Sequence, residues 1–320
     1  MSVDGKADPV FDDDPVAALE AASWALAAVI GTMRDALTAP LADVLAAAPQ
    51  RTAVLEAAGL VERNGDELIP HPSLRPVEGP TARSAGEAKL SSLRQAVAAA
   101  AHEGNDVAGG GWADQDDEVL LNQGRASAAT GHALATRVVP RLAGLADRLD
   151  AAGSRILDVG TGVAAIAVAL AREFPRAHVL GIDILDRVLD LARIETAKAG
   201  EAGERVSLRR LDVAEVTEHS AYDLIWLPAP FLPEAVLNAA LPRMADALRP
   251  GGWIVVGTNP ASRDPLRQAV GRWTAVRNGG NAYDTDRMAE ALTSSGLQEV
   301  QRFPTVTGGP VLVAARRPRG

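Results

Sequence analysis

Two glycines in a short turn are placed where a small molecule could bind against the backbone. Gly160 and Gly162 follow a five-residue run, Arg155–Val159, which predicts a buried strand, and the small residues after them predict a tightly packed helix. Glycine is required where the chain turns sharply and a ligand comes close, because it has no Cβ. In an open α/β sheet, such a turn lies at the crevice where ligands bind.

Three carboxylates occur in or at the ends of successive predicted strands. Asp158 lies inside the first strand, Asp183 ends the second, and Asp212 ends the third. An ionised carboxylate only accepts hydrogen bonds, so it suits a diol or an exocyclic amine. The turn alone also fits the dinucleotide fingerprint, and an NAD-dependent oxidoreductase has an acid at the position of Asp183. A carboxylate at the position of Asp158 is unusual for such enzymes.

This combination resembles the class I S-adenosylmethionine-dependent methyltransferases, from about residue 120 to residue 316. Two further predicted strands, Tyr222–Leu227 and Leu248–Val256, belong to the resemblance. It implies an α/β fold with a Rossmann-like, seven-stranded methyltransferase sheet. The last two strands, near residues 298–303 and 311–316, would form an antiparallel pair at one edge of that sheet.

The resemblance also implies a cofactor, S-adenosyl-L-methionine, and suggests which residues bind it. The glycines would admit its methionine part, with Asp158 near the amino group or ordering the turn. Asp183 would hold the ribose, and Asp212 would meet the edge of the adenine. The predicted cofactor-binding residues are Asp158, Gly160, Thr161, Gly162, Asp183, Ile184, Asp212, Val213 and Leu227. No metal site is predicted.

The acceptor side carries a weaker pattern. Family members that methylate adenine or glutamine often have an Asn/Asp-Pro-Pro-aromatic motif after the fourth strand. Here Leu227 occupies the polar position, so Pro228-Ala-Pro-Phe231 is predicted to form an apolar pocket wall. The predicted substrate-binding residues are Trp112, Gln123, Arg125, Pro228, Phe231 and Asn259. His132 is the candidate catalytic base, with an ordinary surface histidine as the competing interpretation.

Composition excludes several classes of function. The chain has 320 residues, no cysteine and a net charge of −9. Disulfides, thiolate catalysis and cysteine-bound zinc are therefore excluded. The negative charge argues against non-specific binding to nucleic acid or to anionic lipid. An acidic amino terminus does not fit a signal peptide, and the apolar segment 16–30 is too short for a bilayer span. We therefore predict a cytoplasmic protein without a membrane partner.

Four segments are predicted along the chain. Between Arg34 and Arg75 there are four arginines and six acidic residues, and Asn64-Gly65 predicts a hairpin turn. This acidic, winged-helix-like leader suits a dimerising or substrate-capping role better than DNA binding. The segments are a disordered tail at 1–14, a helical, winged-helix-like N-terminal domain at 15–108, connecting helices over the cleft at 109–150, and an S-adenosylmethionine-binding methyltransferase domain at 151–320.

The predicted function is methyl transfer from S-adenosylmethionine to a small organic molecule, in specialised metabolism. Oxygen, nitrogen and carbon acceptors stay open, with oxygen ahead. Methyl transfer is an in-line displacement, so positioning should dominate the rate. The alternatives are a cofactor-binding cyclase or isomerase that does not methylate, a winged-helix DNA-binding regulator, and an NAD-dependent oxidoreductase. A homodimer is the expected assembly.

Overall fold

The chain divides into two compact units, residues 1–102 and 103–320. The computed structural model describes residues 14–75, 82–101, 112–260, 262–305 and 310–319. The predicted tail at 1–14 lies outside the described residues except for Asp14, whose side chain caps the first helix by accepting a hydrogen bond from Val16 N. The described part of the predicted connecting segment belongs to the second unit.

The first unit is helical with one hairpin. Its core is formed mainly by Leu45, Leu55 and Val61. The predicted hairpin is confirmed, with Gly65 in the turn at φ 61°. The winged-helix likeness stays a prediction. The elements are α1 (Pro15–Asp35), α2 (Leu41–Ala47), α3 (Pro49–Ala57), β1 (Val61–Asn64), β2 (Glu67–Pro70) and α4 (Ala82–Ala101).

Helix α1 is longer than the sequence suggested. It has 21 residues and is apolar enough to cross a membrane by length and composition, and only 11% of its most apolar window is buried. The prediction that this segment is too short for a span is wrong, because the helix continues to Asp35 and about 20 residues suffice. Val16, Leu19 and Trp24 are exposed, so the first half of α1 presents an apolar surface.

The second unit contains a seven-stranded sheet in the order β5-β4-β3-β6-β7-β9-β8. Strands β3 to β7 are parallel, and β9 runs antiparallel to both of its neighbours. The predicted sheet and its antiparallel edge pair are confirmed. Asp212 does not end the third parallel strand but lies two residues beyond it. The strands are β3 (Arg155–Val159), β4 (His178–Asp183), β5 (Val206–Arg210), β6 (Tyr222–Pro228), β7 (Leu248–Pro260), β8 (Gln298–Pro304) and β9 (Pro310–Arg316).

Helices cover both faces of this sheet. Successive residues of a strand point to opposite faces, so Ile156 and Leu157 lie in two different buried clusters. Strands buried on both sides consist of nearly continuous apolar residues, as the sequence of β6 and β7 shows. The helices are α5 (Asp117–Ala126), α6 (Ala128–Ala133), α7 (Leu145–Leu149), α8 (Ala165–Glu173), α9 (Asp186–Ala197), α10 (Glu201–Glu204), α11 (Glu234–Ala247), α12 (Pro265–Arg277) and α13 (Thr285–Ser294).

Two glycines allow α5 and α6 to pack closely on the α8 segment. A Cβ at Gly124 would lie 2.3 Å from Cγ2 of Val163, and one at Gly131 would lie 2.7 Å from the Cβ of Ala169 and 3.1 Å from Ile166 O. These distances leave no room for a side chain. The contact with Val163 places α5 directly beside the glycine turn.

The same substitution should have opposite effects at two helical glycines of this unit. Gly131→Ala should lower the free energy of unfolding by about 1–3 kcal/mol, because the methyl group overpacks the contact with α8. Gly271→Ala in α12, where a Cβ meets nothing within 4 Å, should raise it by about 0.5–1 kcal/mol. Urea unfolding followed by circular dichroism measures both, and changes of the same sign would contradict the packing described.

Candidate functional site

The glycine turn adopts a backbone conformation that favours glycine. Gly160 and Gly162 have φ angles of 59° and 56°, in the left-handed region that side chains disfavour. Thr161 N donates to Ile182 O over 2.9 Å, which fastens the turn to the end of β4. The turn therefore joins the carboxyl ends of two neighbouring parallel strands, where the sequence predicted a ligand.

The carboxylate of Asp183 is bonded to this turn. Its Oδ2 accepts from Gly162 N over 3.1 Å, and its Oδ1 accepts from Leu185 N over 3.0 Å. Burial raises the pKa of Asp183, while the backbone donors oppose that rise. Each oxygen has a further lone pair, so the group retains the capacity to accept hydrogen bonds from a diol. Ile184, the next residue, is 57% exposed although it is apolar.

Asp212 and Val213 lie next to this carboxylate along the sheet edge. Leu211 N donates to Asp183 O over 3.0 Å, which brings the segment after β5 against the end of β4. Asp212 Oδ1 accepts from Ala214 N over 2.8 Å and orders a short turn. The Val213 side chain is buried, so this segment offers a ligand the partly exposed Asp212 carboxylate and the backbone.

Asp158 lies beneath the turn and is almost completely buried. Thr161 Oγ1 donates to its Oδ2 over 2.7 Å, which gives Asp158 direct contact with the turn that it was predicted to order. Its Oδ1 is buried without a hydrogen-bond partner among the described residues. Desolvation raises the pKa of Asp158 to about 7, and the charge of nearby Asp183 adds to the rise.

The predicted apolar wall meets the glycine turn directly. A Cβ at Gly160 would lie 3.5 Å from Cγ of Pro228. Phe231 is 51% exposed and makes an edge-to-face contact with Trp112, their ring centroids being 5.4 Å apart. Leu227 was predicted to contact the cofactor, but its side chain is fully buried in the core. That prediction is wrong for the side chain, because no surface of it faces the cleft.

Buried amides hold this wall from behind. Asn281 Nδ2 donates to Ala229 O over 2.7 Å and to Leu232 O over 2.8 Å. Asn259 Nδ2 donates to Asn281 O over 2.9 Å and to Tyr283 O over 3.0 Å. Both amide hydrogens of Asn259 are therefore used within the protein, and its predicted role in substrate binding stays a prediction. Asn281 was not predicted, although it follows two glycines in a loop that the sequence marks as a turn.

His132 lies at the wrong end of α8 to act on this site. Its ring is exposed, and Nδ1 is 2.8 Å from Oε1 of Glu173, the last residue of that helix. The glycine turn precedes the first residue of α8, and a nine-residue helix is about 13 Å long. The prediction of His132 as the catalytic base is not supported; the competing interpretation, a surface histidine, describes its position.

The remaining predicted residues lie on segments packed beside the turn. Arg125 donates from Nε and Nη2 to Glu195 over 3.0 and 2.9 Å, and this bond lowers the pKa of Glu195 to about 2. Arg125 thus ties α5 to α9 instead of presenting those donors to a substrate. Gln123 precedes Gly124 in α5, and its role stays a prediction. Trp112 lines a cavity of about 130 Å³ together with Leu120, Leu185 and Val188.

Residues 156–252 match the family model described as a methyltransferase domain. The chain carries a class I methyltransferase domain. The match covers the glycine turn, all three carboxylates and the apolar wall, which are the features that the sequence analysis selected. The resemblance inferred from the motifs is therefore confirmed.

Known proteins resemble the chain over different lengths. It is 27% identical to the release factor glutamine methyltransferase of Koribacter versatilis in an alignment 146 residues long. That alignment covers 37% of this chain and only about half, 51%, of that relative. An O-methyltransferase family protein from Burkholderia thailandensis has a TM-score of 0.68 at 17% identity, covering 95% of this chain and 98% of that one. Human N-acetylserotonin methyltransferase, solved in complex with SAM, has a TM-score of 0.60 at 16% identity, covering 96% and 99%. At these identities the two structures establish a shared fold.

The buried carboxyl of Asp158 should make stability depend on pH. Its folded pKa, about 7, lies above the unfolded value of 3.8, so the unfolded state binds fewer protons between these values and stability falls as pH rises. In Asp158→Asn this component is absent. The stability of the variant relative to wild type should therefore increase by about 3 kcal/mol between pH 4 and pH 8. Urea unfolding at each pH measures the difference, and a difference that is flat with pH would rule out the raised pKa.

Proposed function

We propose that the second unit binds S-adenosylmethionine and transfers its methyl group to a small organic acceptor. One observation carries the proposal: the glycine turn lies between both halves of the candidate site. Gly162 N is bonded to Asp183 on the side predicted for the nucleoside, and Cγ of Pro228 in the apolar wall lies 3.5 Å from the position that a Cβ on Gly160 would take. A ligand bound along the turn, with its nucleoside at Asp183, would therefore have its other end beside the wall.

The residues present fit this cofactor. The Asp183 carboxylate has lone pairs for the two ribose hydroxyls, and the exposed side chain of Ile184 offers an apolar surface for one face of adenine. Asp212 has a second oxygen, without a hydrogen bond to any described residue, for the adenine amino group. The second oxygen of Asp158 is buried without a hydrogen-bond partner among the described residues, and this acceptor suits the positively charged amino group of the methionine part. When bound, the cofactor supplies a methyl group on a positively charged sulfur.

The contribution of the protein is mainly positional. In-line displacement releases a neutral thioether, so the rate depends on alignment of the acceptor atom, the methyl carbon and the sulfur. The rigid turn determines one end of that line, and Pro228 with Phe231 limits where an acceptor can lie at the other end. The apolar carbons of the wall also exclude water from the acceptor. Electrostatic interactions are stronger there because less water screens them.

We favour a small hydroxylated acceptor over a protein glutamine. The chain aligns with only about half of the length of the relatives that are named release factor glutamine methyltransferases. The fold of an O-methyltransferase family protein, in contrast, covers almost the whole chain. Leu227 is apolar and buried at the position where a polar side chain would hold an amide. Nitrogen and carbon acceptors remain compatible with the wall, as does a cofactor-binding enzyme that does not methylate. A role in specialised metabolism belongs to the same proposal.

The assembly and location are further parts of this proposal. The exposed apolar half of α1 suits contact with a second copy of the chain, so we propose a homodimer. Asp14 before α1 and Glu20 within it do not suit an anionic membrane surface, and we propose a cytoplasmic location. The acidic leader likewise disfavours the DNA-binding alternative.

Asp183→Asn should weaken cofactor binding by about 10- to 100-fold, because hydrogen bonds to the charged carboxylate are worth about 1.5–3 kcal/mol. Calorimetric titration with the demethylated product, S-adenosylhomocysteine, measures this change. Asp190→Asn is the matched control, since Asp190 is an exposed residue of α9 that pairs with Arg193. Equal affinity in Asp183→Asn and wild type would refute the assignment of the ribose site, and tighter binding of NAD would favour the oxidoreductase.

Incubation with methyl-labelled S-adenosylmethionine and a panel of small phenols, amines and carboxylic acids should transfer label to at least one member. Phe231→Ala should then raise the KM of that acceptor about tenfold or more, because a half-exposed aromatic wall residue is lost, while S-adenosylhomocysteine affinity stays unchanged. Label transfer to a release-factor peptide instead would contradict the small-molecule proposal. Turnover of a substrate with the label retained on the cofactor would exclude methyl transfer.

A further inference from the structure

A second cavity lies at the end of the sheet opposite the glycine turn. Strands β6, β7 and β8 start at this end of the sheet, and the antiparallel strand β9 finishes there. The cavity has a volume of about 400 Å³ and is lined by Gln298, Glu299, Arg316, Arg317, Pro318 and Arg319. The site proposed for methyl transfer lies where β3, β4 and β6 end, so this cavity is separate from it.

Arginine side chains converge on one glycine beside this cavity. A Cβ at Gly251, whose φ is 76°, would lie 3.5 Å from Nη2 of Arg316 and 3.6 Å from Nη1 of Arg148. It would also lie 3.4 Å from Cγ of Arg319. The missing Cβ therefore leaves a small space that positively charged side chains approach from several sides, although like charges repel.

The nitrogens that face this space are the ones without acceptors. Arg148 uses Nε and Nη2 to bind Asp223 Oδ1. Arg316 uses Nη1 to bind Glu299 over 2.9 Å and Nε to bind Gly251 O over 3.3 Å. Nη1 of Arg148 and Nη2 of Arg316, which face this space, have no hydrogen-bond or ion-pair partner among the described residues. Arg319 brings only its Cγ to Gly251; its guanidinium, with Nη2 3.7 Å from a Cβ placed on Gly144, also has no such partner among the described residues. The side chain of Arg316 is only 7% exposed, so solvation of that charge by water is limited.

The local charge is positive in an acidic protein. Four arginines lie at the cavity or beside Gly251, and a fifth, Arg249, shares a carboxylate with one of them. Three carboxylates bind members of this group, whereas the whole chain has a net charge of −9. The arginines are Arg148, Arg249, Arg316, Arg317 and Arg319, and the carboxylates are Asp223, Asp246 and Glu299. An excess of two positive charges remains for an anion to neutralise.

One residue that lines the cavity has an unusual backbone conformation, and its carboxylate leaves one nitrogen of Arg316 unpaired. Glu299 lies at an irregularity of β8 and has a φ of 52°, which is uncommon for a residue with a side chain. Its carboxylate binds Nη1 of Arg316 and not Nη2. Residues in such conformations are concentrated at ligand sites, where the surrounding structure maintains them.

We propose that this cavity binds a phosphate group, either as the free ion or as the phosphoryl end of a monoester. Guanidinium groups are planar donors that match phosphate oxygens, often in pairs of hydrogen bonds. Phosphate has four oxygens for the two nitrogens beside Gly251 and for the guanidinium of Arg319 at the cavity, whereas a carboxylate has two. A cavity of about 400 Å³ also has room for atoms beyond the phosphate itself.

Calorimetric titration of the full chain with inorganic phosphate tests the proposal, with sodium chloride adjusted to hold the ionic strength constant. Wild type should bind phosphate, and Arg319→Gln should weaken binding about tenfold, since a charge-assisted hydrogen bond is lost. Arg319 is exposed, so the variant should fold. Arg172→Gln is the matched control, because Arg172 is an exposed arginine of α8 outside the cluster, and its phosphate affinity should equal that of wild type.

Parallel titrations with phenyl phosphate and acetate identify the ligand class. Tighter binding of phenyl phosphate than of phosphate assigns the site to a phosphoryl group on a larger molecule, and the reverse assigns it to the free ion. The proposal is overturned if wild type shows no phosphate heat, if acetate binds equally well, or if Arg319→Gln keeps full affinity. S-adenosylhomocysteine titrated into the same proteins separates the two proposals, because its binding should not depend on Arg319.

Discussion

The hydrogen bond between Gly162 N and the carboxylate of Asp183 connects the parts of the candidate site. It fastens a turn that only glycine adopts easily to the end of the neighbouring parallel strand. Because the carboxylate is held through backbone amides, its position depends on the register of β3 with β4 and not on side-chain rotamers elsewhere. Pro228 of the wall lies on the other side of the turn, 3.5 Å from the position that a Cβ on Gly160 would take. One backbone segment therefore sets the spacing of both halves of the site.

Asp183 and Asp158, the two acids nearest this bond, differ in how burial and hydrogen bonding affect their pKa. Asp183 is partly exposed and accepts several backbone hydrogen bonds, so it remains able to bind a ligand as an anion. Asp158 is buried with one partner for one oxygen, and its pKa lies near neutrality. The turn is thus supported by a group whose charge changes within the physiological range, whereas the group exposed to the cleft is the better stabilised anion.

Local patterns were sufficient to predict the sheet, but the site required long-range contacts. Continuous apolar runs and glycine turns mark the strands of the second unit, and the hairpin at Asn64-Gly65 is a short-range signal of the same kind. His132, Asn259 and Leu227 were assigned by their neighbourhood in the sequence. In the structure their contacts are, in the same order, with Glu173, with Asn281 and with the core of the sheet. No local pattern in the sequence reveals these partners. Helix α1 continues five residues beyond the apolar segment 16–30, to Asp35.

The amide relay from Asn259 through Asn281 to the wall has an evolutionary consequence. The loop proposed to shape acceptor choice is anchored to β7 and to the segment before α13, whereas the end proposed for the nucleoside depends on β3, β4 and β5. Sequence change in the first group can alter which molecules are accepted without disturbing recognition of the donor. Such a division allows one ancestral scaffold to give rise to different methylated products while the methyl donor stays the same.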